Sequence, residues 1–391
     1  MSRTYKYRLY PTQDQKCVLW EHSKICTRVY NQFIELEQKT YKEQNKYLNV
    51  YALNALLVSM KLSDKSLQAI YSQVLQQISW RVHRGYMLFF KKAVLHPPKQ
   101  QNDKHFFSLT YPQGGYKIQN NMFITSAYGD IKLKIHRSYQ GTVKQVTITY
   151  DGFRWHLCVT TDYDPVDRIN LNQTKIALDL GTKDLCTTEQ GIKIKGPTHQ
   201  TYYRLQIAHL QQLKEKCKNG SRRHKHLSRL IRKLYLKMVR KTNDYLHKES
   251  HSLSTKYDTV VVEDLHVHDM VDHSKARGRN RQIHNACMSK FVSMLEYKCK
   301  RLIKVNPDYT SQTCCLCHHK LDKKLPLTKR TFKCPHCGLK LDRDHNAAIN
   351  ILQLGYAKES GFFKPNVCIT DVPELMYIDS DTRRCLEQAI A

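Results

Sequence analysis

Apolar positions along the chain change period several times, and each change marks a new element. Tyr5-Lys-Tyr-Arg-Leu-Tyr10 alternates and stops at Pro11, which predicts a strand ending where proline removes the next ladder donor. Residues 15–95 read as helices. Within them Ser66–Phe90 carries Leu67, Ile70, Val74, Leu75 and Ile78, then Val82, Leu88 and Phe89, before Pro97-Pro98 closes the segment. Short runs rich in β-branched and aromatic residues follow at Met122–Ser126, Ile131–Ile135, Val143–Tyr150 and Trp155–Thr161. Gly129-Asp130, Gly141 and Asp151-Gly152 punctuate them, the last a hairpin turn. Ile176–Leu180 is an apolar strand with an acid near its end, and Leu185–Thr188 is its expected hairpin partner. Leu205, His209, Leu210 and Leu213 recur at helical spacing, as do Leu227, Leu230, Ile231, Leu234 and Met238, with Asn219-Gly220 breaking the two halves into a helical hairpin. Asp258-Thr-Val-Val-Val-Glu263-Asp264-Leu is a second apolar strand, and Asp342-Arg-Asp344-His-Asn-Ala-Ala-Ile-Asn-Ile351 opens a helix.

Charge sharpens this picture. The 391 residues, enough for two or three domains at about 150 each, carry 64 Lys+Arg against 34 Asp+Glu, a net of +30. A 41% apolar content supports real cores and excludes wholesale disorder. Residues 201–256 hold 15 cations and 3 acids, a surplus of one sign that i,i+4 pairing cannot balance but a phosphate backbone can. Residues 357–391 reverse the bias, with 4 cations and 6 acids, and read as a loosely attached tail. No apolar run approaches the roughly 18 residues of a membrane span, and Met-Ser-Arg-Thr-Tyr-Lys-Tyr-Arg has no apolar core of a secretory signal. The expectation is an intracellular nucleic-acid-binding protein without a membrane partner; a membrane-surface protein fits less well.

Two constellations carry chemistry. Cys314-x2-Cys317 is followed, after sixteen intervening residues, by Cys334-x2-Cys337, the spacing of a four-thiolate zinc site. Four Cys leave no open coordination position, so one structural Zn²⁺ is expected, with Cys315 a spectator and His318, His319 and His336 as flanking substitutes. The second is the acid set Asp179, Glu263 and Asp344, two following apolar strands and one opening a helix. Carboxylates converging in this way suit two-Mg²⁺ phosphodiester hydrolysis, although an acid in such a place also serves as a turn residue or helix cap. Asp184, Asp264 and Asp342 are expected to be bystanders of that kind. No phosphate-binding P-loop, dinucleotide fingerprint or nucleophile elbow occurs.

Ile176-Ala-Leu-Asp179-Leu-Gly-Thr-Lys-Asp, Val260-Val-Val-Glu263-Asp-Leu, Tyr309-Thr-Ser-Gln-Thr-Cys-Cys-Leu-Cys317, Lys333-Cys-Pro-His-Cys-Gly338 and Asp342-Arg-Asp344-His-Asn-Ala-Ala-Ile-Asn-Ile together resemble the TnpB family of transposon-encoded nucleases, relatives of compact type V CRISPR effectors. Arg8-Leu-Tyr-Pro-Thr, Gln15, Arg28-Val-Tyr-Asn31, Ser72-Gln-Val-Leu-Gln-Gln77 and Phe89-Phe90 extend the resemblance over roughly residues 5–355. It implies a multidomain α+β and α/β protein. A wedge β-barrel would comprise 1–11 and 101–173, with an inserted helical recognition lobe at 12–100. A RuvC-like nuclease domain of RNase H fold would comprise 174–308 and 340–355, with an inserted zinc ribbon at 309–339 and a tail at 356–391. The resemblance further implies an RNA-guided endonuclease that cleaves double-stranded DNA beside a short motif, guided by an RNA from the transposon end. Asp179, Glu263 and Asp344 would hold two catalytic Mg²⁺, and Cys314, Cys317, Cys334 and Cys337 one Zn²⁺. Tyr51, Ser72 and Gln76 match the positions that read the target-adjacent motif, although Gln76 could equally be a plain exposed helix residue. A cytoplasmic, nucleoid-associated monomer bound to RNA is expected. The alternatives are a compact type V CRISPR effector and a DNA-binding transposition regulator that does not cut. A zinc-ribbon transcription accessory fits the flanking acid-bearing α/β sequence poorly.

Overall fold

The computed structural model describes residues 2–162, 174–266, 270, 280, 286–323, 325–326 and 329–360. The chain divides into two compact units, 1–166 and 167–391.

In the first unit β1 (Ser2–Tyr10) leads through Pro11 into α1 (Gln13–Gln44). Thr12 opens α1 with a capping box: the Gln15 amide donates to the Thr12 hydroxyl and the Thr12 amide to Gln15 Oε1. Helix α2 (Val50–Ser63), a 3₁₀ turn over Lys65–Ala69 and α3 (Ser72–Phe90) follow. The apolar period predicts one helix over Ser66–Phe90, but the chain breaks at Ile70-Tyr71. Ile70 is extended and buried, and Tyr71 stacks on Tyr111 at 6.0 Å. Tertiary packing there overrides the helical period.

Strands β2 (Leu109–Tyr111), β3 (Lys117–Gln119), β4 (Met122–Thr125), β5 (Gly129–Lys134), β6 (Thr142–Tyr150) and β7 (Trp155–Asp162) join β1 in a seven-stranded antiparallel sheet of order β2-β6-β7-β1-β5-β4-β3. The sheet curls, bringing the Tyr111 ring of β2 to 6.3 Å from that of Phe123 in β4. It is a half-barrel whose edge strands, β2 and β3, each span only three residues. Its inner face (Tyr5, Tyr7, Leu9, Phe123, Ile131, Leu133, Ile148, Leu157, Val159) shares one core with Leu19, Val29 and Phe33 of α1 and Val74, Ile78 and Val82 of α3.

The second unit is built on a five-stranded sheet. Its strands are β8 (Lys175–Leu180), β9 (Asp184–Thr188), β10 (Lys193–Lys195), β11 (Thr259–Glu263) and β12 (Arg301–Val305), in the order β10-β9-β8-β11-β12. β8, β11 and β12 run parallel, and β9 and β10 are antiparallel additions. One face packs against α5 (Arg222–Lys256) and α6 (Met288–Lys298) through Leu246, Leu253, Phe291 and Leu295. The other receives α7 (Arg343–Ser360) and the Cys-rich segment, whose hairpin is β13 (Thr331–Lys333) and β14 (Lys340–Asp342). The cationic hairpin is α4 (His199–Glu215) against α5, turning at Gly220 with φ 77°. Helix α7 runs on to Ser360, into the segment read as tail; 361–391 lie outside the described residues.

Candidate active site and metal centre

Strand parity brings the acids together. In β8, Ile176, Leu178 and Leu180 enter the core shared with α5 and α6, whereas Ala177 enters the core shared with α7. Side chains alternate along a strand, so Asp179 shares the α7 side with Ala177. In β11, Val260 and Val262 point to the α5 side and Val261 to α7, so Glu263 falls with Val261. The parallel register pairs Val261 with Ala177 and Val262 with Leu178, and its next rung sets Glu263 beside Asp179. Asp344 lies in the first turn of α7, which is pressed on this face by Ala347, Ala348, Ile349 and Leu352. At Gly355 the helix approaches so closely that a Cβ would stand 2.7 Å from a Val261 methyl.

The electrostatics follow from this convergence. Burial pushes the Asp179 carboxyl well above its ordinary range, the charges of Glu263 and Asp344 push it further, and Arg343 offsets part of the rise. Glu263 is also raised by burial, opposed by the Thr310 hydroxyl, which donates to its Oε1 at 2.6 Å. Arg330 Nη1 reaches Asp344 Oδ2 at 3.2 Å. Asp342 turns away from this set and caps α7. Its Oδ1 accepts from the Asp344 and His345 amides at 3.0 and 3.3 Å, and its Oδ2 takes Lys193 Nζ at 2.8 Å. Burial alone would raise Asp342, but Lys193 and the two amides outweigh it and hold the carboxyl below its usual value. Three converging hard carboxylates, with Asp179 raised by burial and by the charges of the other two, fit a divalent cation such as Mg²⁺.

The second centre is tighter. The four sulfurs of Cys314, Cys317, Cys334 and Cys337 lie within 4.8 Å of one another, the one such cluster of three or more His, Cys, Asp or Glu ligands among the described residues. Cys314 and Cys337 sulfurs are 3.6 Å apart and those of Cys317 and Cys334 3.5 Å. A tetrahedral ion with Zn–S bonds of about 2.3 Å separates its sulfurs by about 3.8 Å, so the donor set fits zinc. The Cys337 amide donates to Cys334 Sγ at 3.5 Å, one of several backbone contacts that favour thiolate there against burial. His319 and His336 stack on each other at 5.6 Å.

Three features of this half of the chain escape sequence patterning. Thr310 orients Glu263. Arg343 donates to Pro326 O and Ser311 Oγ at 3.2 and 3.3 Å beside the acids. Asn346, Asn350 and Gln353, spaced i, i+4, i+7 on α7, strap the Cys-rich segment to the helix. Asn346 accepts from the Cys315 amide at 3.0 Å, Asn350 donates to Thr310 O and Thr313 O at 2.8 Å, and Gln353 donates to Cys315 O at 3.1 Å. The available signal was three amides at helical spacing on an otherwise apolar face. In the first unit, Tyr51 stands on α2, 82% exposed, and Ser72 and Gln76 lie exposed on α3, where Ser72 accepts from Lys61 Nζ at 2.7 Å.

Three family models match: "Helix-turn-helix domain" over 1–46, "Probable transposase" over 156–274 and "Cas12f1-like, TNB domain" over 289–351. A Streptomyces pristinaespiralis protein named "Putative RNA-guided DNA endonuclease" is 26% identical over 367 residues, covering 91% of this chain and 90% of the relative. A TnpB-like protein of Methanocaldococcus jannaschii is 31% identical over 204 residues, covering 49% of this chain and 69% of the relative. The chain belongs to the TnpB family. Its mixed α/β fold is that of a Cas12f1 chain solved by cryo-EM with sgRNA and target DNA, at a TM-score of 0.52, 15% identity and coverage of 90% of this chain and 98% of that one. In this TnpB protein the segment matched as helix-turn-helix is a strand followed by a single helix of 32 residues.

Proposed function

We propose that the protein is an RNA-guided endonuclease for double-stranded DNA, with Asp179, Glu263 and Asp344 as its catalytic acids. The observation that carries this is their convergence from two parallel strands and one helix onto a single face, in a chain whose relatives bear the name of that activity. The three carboxylates would hold two Mg²⁺, which when bound activate water and neutralise charge on the scissile phosphate. The chain's own residues orient this set. Thr310 fixes one oxygen of Glu263, Asp342 fixes the start of the helix bearing Asp344, and Arg343 moderates the repulsion around Asp179. The β8–β12 sheet with α7 would be the RuvC-like domain, the curled sheet the wedge, and α1–α3 the recognition lobe with Tyr51, Ser72 and Gln76 at the target-adjacent motif. The four Cys would hold one structural Zn²⁺. The cationic α4–α5 hairpin would grip nucleic-acid backbones, and the guide would come from the transposon end. Among the described residues no helix is long and apolar enough to cross a membrane.

The test is to express the gene with its flanking DNA, sequence the RNA that co-purifies, and challenge the complex with targets carrying randomised flanks. Cleavage next to one motif is expected, with Asp179→Ala, Glu263→Ala and Asp344→Ala each binding the target but not cutting it. Undiminished cleavage by all three variants would remove the nuclease assignment.

A further inference from the structure

The residue beside the acid site with no role so far is Tyr309. It immediately precedes Thr310, the donor to Glu263, and it is 51% exposed. Its backbone is left-handed, φ 64°, a conformation that disfavours a bulky side chain and persists only where neighbours enforce it. Here they do. The Tyr309 carbonyl accepts from the Gln312 and Thr313 amides at 2.9 and 3.0 Å, and Asn350 of α7 holds the carbonyl of Thr310 at 2.8 Å. Lys320, placed by its bridge to Thr313, sets Nζ 3.1 Å from the ring centroid. An aromatic ring is thus fixed within one residue of a contact to a catalytic carboxylate, with a cation against it and half its surface in solvent. A buried ring would be explained as core and a mobile one as chance exposure; a rigid, exposed, cation-backed ring is neither.

We propose that Tyr309, backed by Lys320, is a stacking platform for one base of the single-stranded DNA segment whose phosphate enters the acid site. Every base has a π-face, so such a platform grips without reading sequence, while the ammonium meets the adjoining phosphate. This inference rests on the nuclease function proposed above. Tyr309 is a positioning residue for the reaction. It holds the strand so that the correct phosphodiester meets the acids.

The test uses the protein loaded with its co-purifying RNA and a target in which a single abasic site is walked through the nucleotides around the cut. Tyr309→Ala and Tyr309→Gly should cut about 10- to 100-fold more slowly, with target binding within about twofold of wild type, while Tyr309→Phe keeps the rate. Tyr309→Gly suits the left-handed backbone, so its zinc content and melting midpoint should be at least those of wild type, separating lost stacking from lost fold. In wild type, one abasic position should reproduce the Tyr309→Ala loss, and at that position the variant should lose nothing more. A flat abasic scan, or losses that multiply at every position, would overturn the platform. Failure of the nuclease function looks different, because wild type and Asp179→Ala would then treat the target alike. A readout independent of cutting remains: 2-aminopurine at the contacted position, in Ca²⁺, should be quenched by wild type and bright with Tyr309→Gly. Equal fluorescence would also refute the proposal.

Discussion

Gly355→Ala tests whether the acid site depends on how closely α7 lies on β11. In an open helix this change stabilises by about 1 kcal/mol through propensity. Here the new Cβ would stand 2.7 and 2.8 Å from the two Val261 methyls and 3.3 Å from Val261 Cβ. Three atoms of one β-branched residue are in the way, so no rotamer of Val261 escapes, and its strand is held on both sides by parallel partners. Overpacking of this kind costs about 1–3 kcal/mol. With this much obstruction the upper half of that range applies, leaving a net loss of about 1–2 kcal/mol. The helix relieves the clash by lifting, and Asp344 lifts with it. With Asp344 in the role proposed for it, a displacement near 1 Å can cost about 100-fold in rate. The assay is thermal melting plus single-turnover cleavage for Gly355→Ala, Val261→Ala and the double variant. The alanine methyl should cost much less in the Val261→Ala background, giving a coupling energy of about 1–2 kcal/mol and partial recovery of cleavage. If Gly355→Ala alone melts higher and cuts normally, the close packing inferred between helix and strand is wrong.

Other outcomes follow from the same geometry. Asp179→Asn should abolish cleavage yet stabilise the metal-free protein by about 0.5–2 kcal/mol, since it removes a carboxylate whose folded pKa is raised by burial and like charge. The raised pKa sets the sign: the folded and unfolded forms are both protonated in acid, so the gain should be absent there and grow as pH rises from the ordinary carboxylate pKa to the higher folded one, which a pH series of melting midpoints checks. Thr310→Val should slow cleavage about 10- to 100-fold by removing a buried charge-assisted hydrogen bond worth about 1.5–3 kcal/mol, and Thr310→Ser should restore most of it. Asp342→Ala should cost about 0.5–2 kcal/mol as a lost helix cap, measured by melting, and cut cleavage less than Asp344→Ala does. Cys334→Ser should release the zinc, scored by elemental analysis, and loosen the 310–315 strap on α7 enough to impair cleavage as well.

The shared face of Asp179 and Glu263 was legible because alternation in two apolar strands is a strong signal, and an acid two positions beyond Ala177 or Val261 has its face decided in advance. The four Cys were legible from spacing alone. Asp342 was read as a bystander or cap, and the cap is what it is. Other elements were hidden for identifiable reasons. Strand β12, Arg-Leu-Ile-Lys-Val, is too short and charged to stand out, and only pairing with β11 makes it a strand. The three-residue strands β2, β3, β10, β13 and β14 carry too little periodicity to be seen. The break at Ile70-Tyr71 is invisible because its cause, Tyr111, lies in a distant strand. The straps from Asn346, Asn350 and Gln353 are long-range contacts from residues that, read locally, merely lower helix propensity.

The position of β1 has a consequence for synthesis. The first strand of the chain sits inside the curled sheet, between β7 and β5, and its longest ladder pairs Ser2 with Asp162 and Leu9 with Trp155. At about 5–20 residues per second, a ribosome needs roughly 8–30 s to deliver the partner strand. Throughout that time the apolar face of β1, with Tyr5, Tyr7 and Leu9, must wait while α1–α3 form behind it. Contacts of such high sequence separation also make the final closure slow. Loss of β1 would therefore remove an interior strand of the half-barrel and leave β5 and β7 without the neighbour that joins them.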